Sequence, residues 1–184
     1  MIIGITGSFG AGKGAVVDYL VKEKGFTHYS ASGYITEEIK RRGLPVDRDS
    51  MIAIGNALRA EHGPSHIVEV LFDRAKTKGG DAVIEALRAV AEVRKMKELG
   101  AMILGVDASS EIRYERSLRR GSEKDRVSFE KWKAQEKEES NTEDPTKQNI
   151  FGALKEAHHI IVNNGTLSEL HEKIDKFLEQ YGNK

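Results

Sequence analysis

The sequence predicts an α/β fold in which a parallel sheet is covered by helices on both faces. Two features predict it. Short apolar runs that read as buried strands alternate with longer segments of helical periodicity. At the start of the chain an apolar strand, a glycine-rich turn, a lysine and an amphipathic helix follow one another directly. The length of 184 residues and an apolar share of 39% suit one core. Neither a repeat nor a linker divides the chain, so residues 1–184 are expected to form a single domain.

Each element has its own signal. Ile2 to Thr6 is short and apolar, as a buried strand is, and Gly7 to Gly12 is a loop. Lys13 to Glu23 places Val16, Val17, Leu20 and Val21 at helical spacing. Phe26 to Ser30 reads as the second strand. Gly33 to Arg42 reads as a helix stopped by Gly43, with Pro45 beyond. Two more helices, Asp49 to Glu61 and His66 to Lys78, are parted by Gly63-Pro64. Ala82-Val83-Ile84 is a short central strand, followed by a helix from Ala91 to Leu99. Ala101 to Val106 is the fourth strand and Ser110 to Arg120 the helix after it. His159 to Val162 and Leu167 to Tyr181 are the last strand and helix. Crossovers between parallel strands are expected to be right-handed. The segment Gly121 to Lys147 breaks the pattern, because it is highly charged and its apolar residues are Val127, Phe129, Trp132 and Ala134. It reads either as an exposed amphipathic helix or as a lid that closes over phosphates.

Composition narrows the function. Lysine plus arginine and aspartate plus glutamate both number 29, which argues against a dedicated nucleic-acid partner. The absence of cysteine excludes disulfides, thiol nucleophiles and cysteine-ligated zinc. The six histidines have no metal spacing: His158 and His159 are adjacent, and Gly63-Pro64 interrupts His62 and His66. No apolar stretch approaches the ~20 residues of a membrane helix. The apolar start is one strand long and lacks a basic leader, so a cytoplasmic protein without a membrane partner is expected.

The chemistry is concentrated in Gly7-Ser8-Phe9-Gly10-Ala11-Gly12-Lys13-Gly14, which fits the G-x-x-x-x-G-K part of the P-loop motif. Glycines let the backbone approach phosphate oxygens closely. Backbone N–H groups and the helix N-terminus favour the anion, and Lys13 adds a full charge. Residues Gly7 to Ala15 are therefore the expected ATP site. The motif departs at its eighth position, where a Ser or Thr hydroxyl would ligate magnesium. Gly14 and Ala15 supply none, although Gly14 is expected to help the first helical turn pack closely.

With these residues the chain resembles the P-loop nucleoside-monophosphate kinases, in particular the adenylate-kinase-related and dephospho-CoA-kinase-like branch. Further segments carry the resemblance: Leu58-Arg59-Ala60-Glu61-His62-Gly63-Pro64, Arg88 with Ala91-Glu92-Val93, Ile112-Arg113-Tyr114-Glu115-Arg116, Gln148-Asn149-Ile150, and Asn163-Asn164-Gly165-Thr166. It implies a three-layer sandwich with a five-stranded parallel sheet in order 2-3-1-4-5, a helical acceptor-binding insert around 33–80, and a lid around 121–147. The implied activity is ATP- and Mg2+-dependent transfer of the γ-phosphate to a small phosphorylated acceptor, foremost a (deoxy)nucleoside monophosphate. Dephospho-CoA kinase and a nucleotide-binding regulatory module with weak catalysis are the alternatives. A monomer or homodimer acting on small-molecule nucleotides is expected.

The resemblance also distributes roles. Arg88 follows the third strand and would clamp the acceptor phosphate, though it also reads as a surface arginine. Arg59 is a second acceptor-side candidate, with a solvated helix face as its other reading. Arg113, Arg116 and Arg120 share one helix face by spacing. Arg116 and Arg120 are favoured for phosphate and base contacts, with Arg126 a further candidate. Glu85, taken to end the third strand, is the candidate for orienting magnesium or its waters. The charged pair that related kinases carry after the second strand is missing, since Gly33 and Thr36 stand there. Asp107 reads either as facing the crevice or as a neighbour of a helix cap.

Overall fold

A computed structural model describes residues 1–119, 127–140 and 149–182. The elements run β1 (Ile2–Gly7), α1 (Lys13–Lys22), β2 (Thr27–Ser30), α2 (Ala31–Arg41), α3 (Arg48–His62), α4 (His66–Lys78), β3 (Ala82–Leu87), α5 (Val90–Glu98), β4 (Met102–Asp107), α6 (Ser110–Arg119), α7 (Phe129–Ser140), α8 (Ile150–Lys155), β5 (His159–Val162) and α9 (Leu167–Tyr181). The five strands form one sheet in order β2-β3-β1-β4-β5, and every neighbouring pair is parallel. The C-terminal ends of β1, β3 and β4 therefore lie side by side, which is where open α/β sheets bind ligands.

Alternation along the strands feeds two cores. Ile3 and Ile5 of β1, Val83 of β3, Leu104 and Val106 of β4 and Ile161 of β5 face one side. They pack there with Val16, Val17 and Leu20 of α1 and with Leu170, Ile174 and Phe177 of α9. Ile84, Leu87 and Ile103 face the other side, with apolar residues of α2, α3, α4, α5 and α8. The three helices between β2 and β3 thus share the core of that sheet face. Gly4 lies there too: a Cβ at this position would stand 2.7 Å from Leu87 Cδ1.

Several boundaries differ from the sequence expectation, each for a local reason. Helix α2 starts at Ala31, not Gly33, because the Ser30 hydroxyl accepts from Gly33 N and caps it. Helix α3 starts at Arg48 because Asp47 accepts from Ser50 N at 2.8 Å. Strand β3 continues past Ile84 to Leu87, with a register shift opposite Ile5 and Thr6. Glu85 therefore does not end the strand; it pairs with Ile5 and Ser30 inside the sheet. Helix α8 was not expected. It is six residues long and capped by Asn149, whose side chain accepts from Gly152 N.

Candidate nucleotide-binding site

The loop between β1 and α1 is held in shape from several sides. Gly10 and Gly12 have φ of 77° and 98°, in the left-handed region that favours glycine. Their hydrogens face protein: a Cβ on Gly10 would lie 2.6 Å from Arg113 O, and one on Gly12 2.4 Å from Asn163 Nδ2. Asn163, buried after β5, donates from Nδ2 to Ala11 O at 2.8 Å. Ser8 is buried and donates to Asp107 Oδ1 at 2.6 Å, an oxygen that also accepts from Ala108 N. The loop is thus tied to the ends of β4 and β5, which leaves its remaining amides pre-organised. Gly12 is the N-cap of α1 and brings no side-chain acceptor, and the first turn carries no acidic residue. The helix therefore presents its positive end without internal compensation.

Cations surround this loop. Lys13 Nζ bends back to Gly7 O at 2.6 Å and Ser8 O at 2.8 Å, and lies 5.9 Å from the centroid of the Phe9 ring. The exposed Arg88, directly after β3, places its guanidinium carbon 5.8 Å from the same centroid. Arg116 of α6 donates to Ala11 O at 3.3 Å and Asn163 O at 3.0 Å. Arg113 lies beneath: its Nε donates to Ala108 O at 2.9 Å, and its Nη1 reaches Phe9 O and Glu136 of α7. Burial pushes the Arg113 pKa down from its ordinary value, against the pull of Asp107 and Glu111. Its guanidinium carbon also stands 5.4 Å from the Trp132 ring centroid, so α7 is docked on the loop's underside.

Other candidates fall elsewhere. Arg59 is part-buried on α3, with Nη2 3.6 Å from Glu92 Oε1. Glu85 faces His28, Oε2 to Nε2 at 3.5 Å. Gly14 is exposed and a Cβ there meets nothing within 4 Å, so close packing does not account for this glycine. Arg120, Arg126 and much of the expected lid lie outside the described residues. Asn163 and Glu92 carry no site role in the sequence reading, Arg113 enters it through the helix face it shares with Arg116, and Asp107 stands there between the crevice and a helix cap. Asp107 and Asn163 had a signal, since Asp107 ends β4 and Asn163 directly follows β5, at the loop's edge of the sheet.

The phosphate-binding parts fit a nucleotide, whereas the magnesium parts do not. Gly14 and Ala15 bring no hydroxyl, Ser8 Oγ is committed to Asp107, and Thr6 Oγ1 donates to Leu87 O within the core. Among the described residues no group of three or more His, Asp or Glu could hold a metal ion. The loop's own side chains therefore offer no uncommitted hydroxyl to an ion accompanying the nucleotide.

Sheet order, loop and surrounding cations define a P-loop kinase-like protein. A family model described as an AAA domain matches residues 3–144, and the chain belongs to that family. The chain is 29% identical to a UPF0200 protein of Thermococcus sibiricus, over 100% of this chain and 97% of that one. It is 28% identical to UPF0200 protein PH1008 of Pyrococcus horikoshii, over 98% and 97%. Among solved structures it is similar to TT1252 from Thermus thermophilus, with a TM-score of 0.64 and 19% identity over 98% and 97% of the two chains. It is also similar to shikimate kinase from Aquifex aeolicus, with a TM-score of 0.58 and 17% identity over 99% and 98%. No described helix is long and apolar enough to cross a membrane.

Proposed function

We propose that the protein is an ATP-dependent phosphotransferase that moves the γ-phosphate to a small phosphorylated acceptor, foremost a (deoxy)nucleoside monophosphate. The observation that carries this reading is the position of Lys13 and Arg88, each just under 6 Å from the centroid of the Phe9 ring. One cation belongs to the phosphate loop and the other to the end of the neighbouring strand. Phosphoryl transfer depends on positioning and charge stabilisation more than on a covalent nucleophile. Lys13 exchanges its loop carbonyls for the β and γ phosphates of ATP, and Arg116 supports the donor side from α6. Arg88 and Arg59 face the acceptor, which brings its own phosphate as a handle.

The printed names of structural neighbours add a contrast. Shikimate kinases share the fold, and the acceptor in their name bears a carboxylate but no phosphate. The decisive experiment measures ADP formation from ATP with nucleoside monophosphates, dephospho-CoA, shikimate and no acceptor. ADP formed only with a monophosphate supports the proposal. Turnover with shikimate alone would overturn the phosphorylated-acceptor reading. A second reading, a nucleotide-binding module with weak catalysis, is favoured by the missing loop hydroxyl at Gly14 and Ala15; ATP binding without turnover on any acceptor selects it.

A further inference from the structure

Glu92 belongs to a segment singled out by resemblance, yet the proposed reaction uses only its neighbour Arg88. Glu92 is 2% exposed. A carboxylate this deeply buried is retained where it is paired or hydrogen-bonded. Oε2 accepts from the backbone N–H groups of Arg88 at 2.8 Å and Ala89 at 3.2 Å, which caps α5. Oε1 points elsewhere and lies 3.6 Å from Arg59 Nη2.

The surroundings hold both arginines. Arg59 Nη1 donates to Gly55 O at 3.2 Å, and a Cβ on Gly55 would lie 3.3 Å from that nitrogen. Glycine at 55 thus leaves the slot in which the guanidinium rests. Arg88 is fixed through its backbone: its N–H donates to Glu92, and its carbonyl accepts from Asn149 N at 2.9 Å. A helix cap needs only Oε2. The reach of Oε1 to α3, an element between β2 and β3, adds a link that capping does not require.

We propose that Glu92 is the positioning residue of the acceptor's phosphate pocket. Its buried carboxylate spaces Arg59 and Arg88 so that both guanidinium groups address one phosphomonoester. This rests on the acceptor-side reading of the two arginines given above. It selects a substrate that already carries a terminal phosphate, because two planar guanidinium groups match the oxygens of a phosphate dianion. A neutral hydroxyl acceptor leaves that charge unmatched.

The test uses the full chain and two probes, adenosine and uridine 5′-monophosphate, with ATP as the control. Nitrogen-15 spectra follow the side-chain Nε–H signals of Arg59 and Arg88. In the wild type both signals shift along one saturating titration with monophosphate. Glu92→Gln keeps an oxygen for the α5 cap but removes the charge, and is expected to weaken monophosphate binding about tenfold, ~1.4 kcal/mol, with ATP affinity unchanged. In an Arg59→Gln background the same substitution has little further effect, because the cation it acts through has gone. The proposal is overturned by equal losses for monophosphate and ATP, by unchanged monophosphate affinity in Glu92→Gln, or by arginine signals that ignore both monophosphates. Monophosphate binding that obeys this pattern without transfer to any acceptor would sink the kinase reading and leave the pocket standing.

Discussion

At the scale of single residues, Lys13 is the clearest case. It closes the loop on itself through two carbonyls, and binding a nucleotide exchanges those contacts for phosphate oxygens. ATP at 100 times its dissociation constant is expected to stabilise the wild type by about 2.7 kcal/mol. Lys13→Ala is expected to lose most of that thermal shift while the free protein keeps its melting temperature. A full shift in the variant would rule out the loop as the ATP site. Arg88→Ala tests the proposed acceptor side: acceptor binding is expected to weaken by roughly 1.5–3 kcal/mol, as for a lost charged hydrogen bond, with ATP affinity retained. The reverse pattern would place Arg88 on the donor side. Gly14 is the third case, because the space beside it is open. Gly14→Ser is expected to fold normally, to raise the magnesium affinity of the ATP complex, and to speed turnover about tenfold. A folded, ATP-binding variant with unchanged magnesium dependence would show that the missing hydroxyl is not what sets metal affinity.

At the scale of elements, α7 shows how a polar helix is anchored. Its sequence is charged on most positions, and it is held by Trp132, 7% exposed, and by Glu136, 8% exposed. Trp132 packs near the rings of Tyr114 and Phe129, while Glu136 pairs with buried Arg113. Leaving a buried charge unpaired costs about 3–5 kcal/mol; Arg113 keeps Asp107 at 3.7 Å, so losing Glu136 costs less than that. Glu136→Ala is therefore expected to lower the melting temperature and to speed backbone hydrogen exchange in residues 129–140. Exchange indistinguishable from the wild type would mean that the pair does not anchor the helix. The amphipathic-helix reading of this segment could be taken from sequence, because Phe129 and Trp132 stand three apart. The anchor could not, because Arg113 and Glu136 belong to separate helices. Helix α8 escaped for a different reason: six residues make under two turns, too few for a periodic pattern to stand out.

At the scale of the molecule, β1 sits at the centre of the sheet and β5 at its edge. The edge strand is stapled by His158, whose N–H donates to Ile103 O and whose Nδ1 accepts from Ile103 N, both at 2.9 Å. The second bond requires an unprotonated Nδ1. Partial desolvation, and then the Lys97 ammonium, hold the His158 pKa below its ordinary 6.5; desolvation and His62 do the same for His66. With the folded-state pKa below the unfolded one, the unfolded chain binds more protons between the two values. Stability is thus fully present above about pH 6.5 and is lost as the pH falls through the folded-state pKa. Thermal unfolding is expected to occur at a lower temperature at pH 5.5 than at pH 7.5. His158→Gln, whose amide oxygen can accept from Ile103 N, is expected to show a smaller drop. An equal drop in both proteins would remove His158 as a source of the pH dependence.

The sequence by itself determined the phosphate loop, its lysine, the five strands and the alternation that makes the sheet parallel. These are local signals: glycine spacing, short apolar runs and helical periodicity act within a few residues of one another. The starts of α2 and α3 moved where Ser30 and Asp47 captured a backbone N–H, a local effect that apolar spacing does not register. Only the tertiary structure decided who holds the loop and who holds the arginines. Ser8 meets Asp107, Ala11 meets Asn163 and Arg116, and Arg59 meets Glu92. It also turned Glu85 into a mid-strand residue beside His28. These partners are distant along the chain, and periodicity carries no information about which distant polar groups will meet. The sheet order brings the ends of β1, β4 and β5 together, and burial there favours arrangements in which each polar group finds a partner.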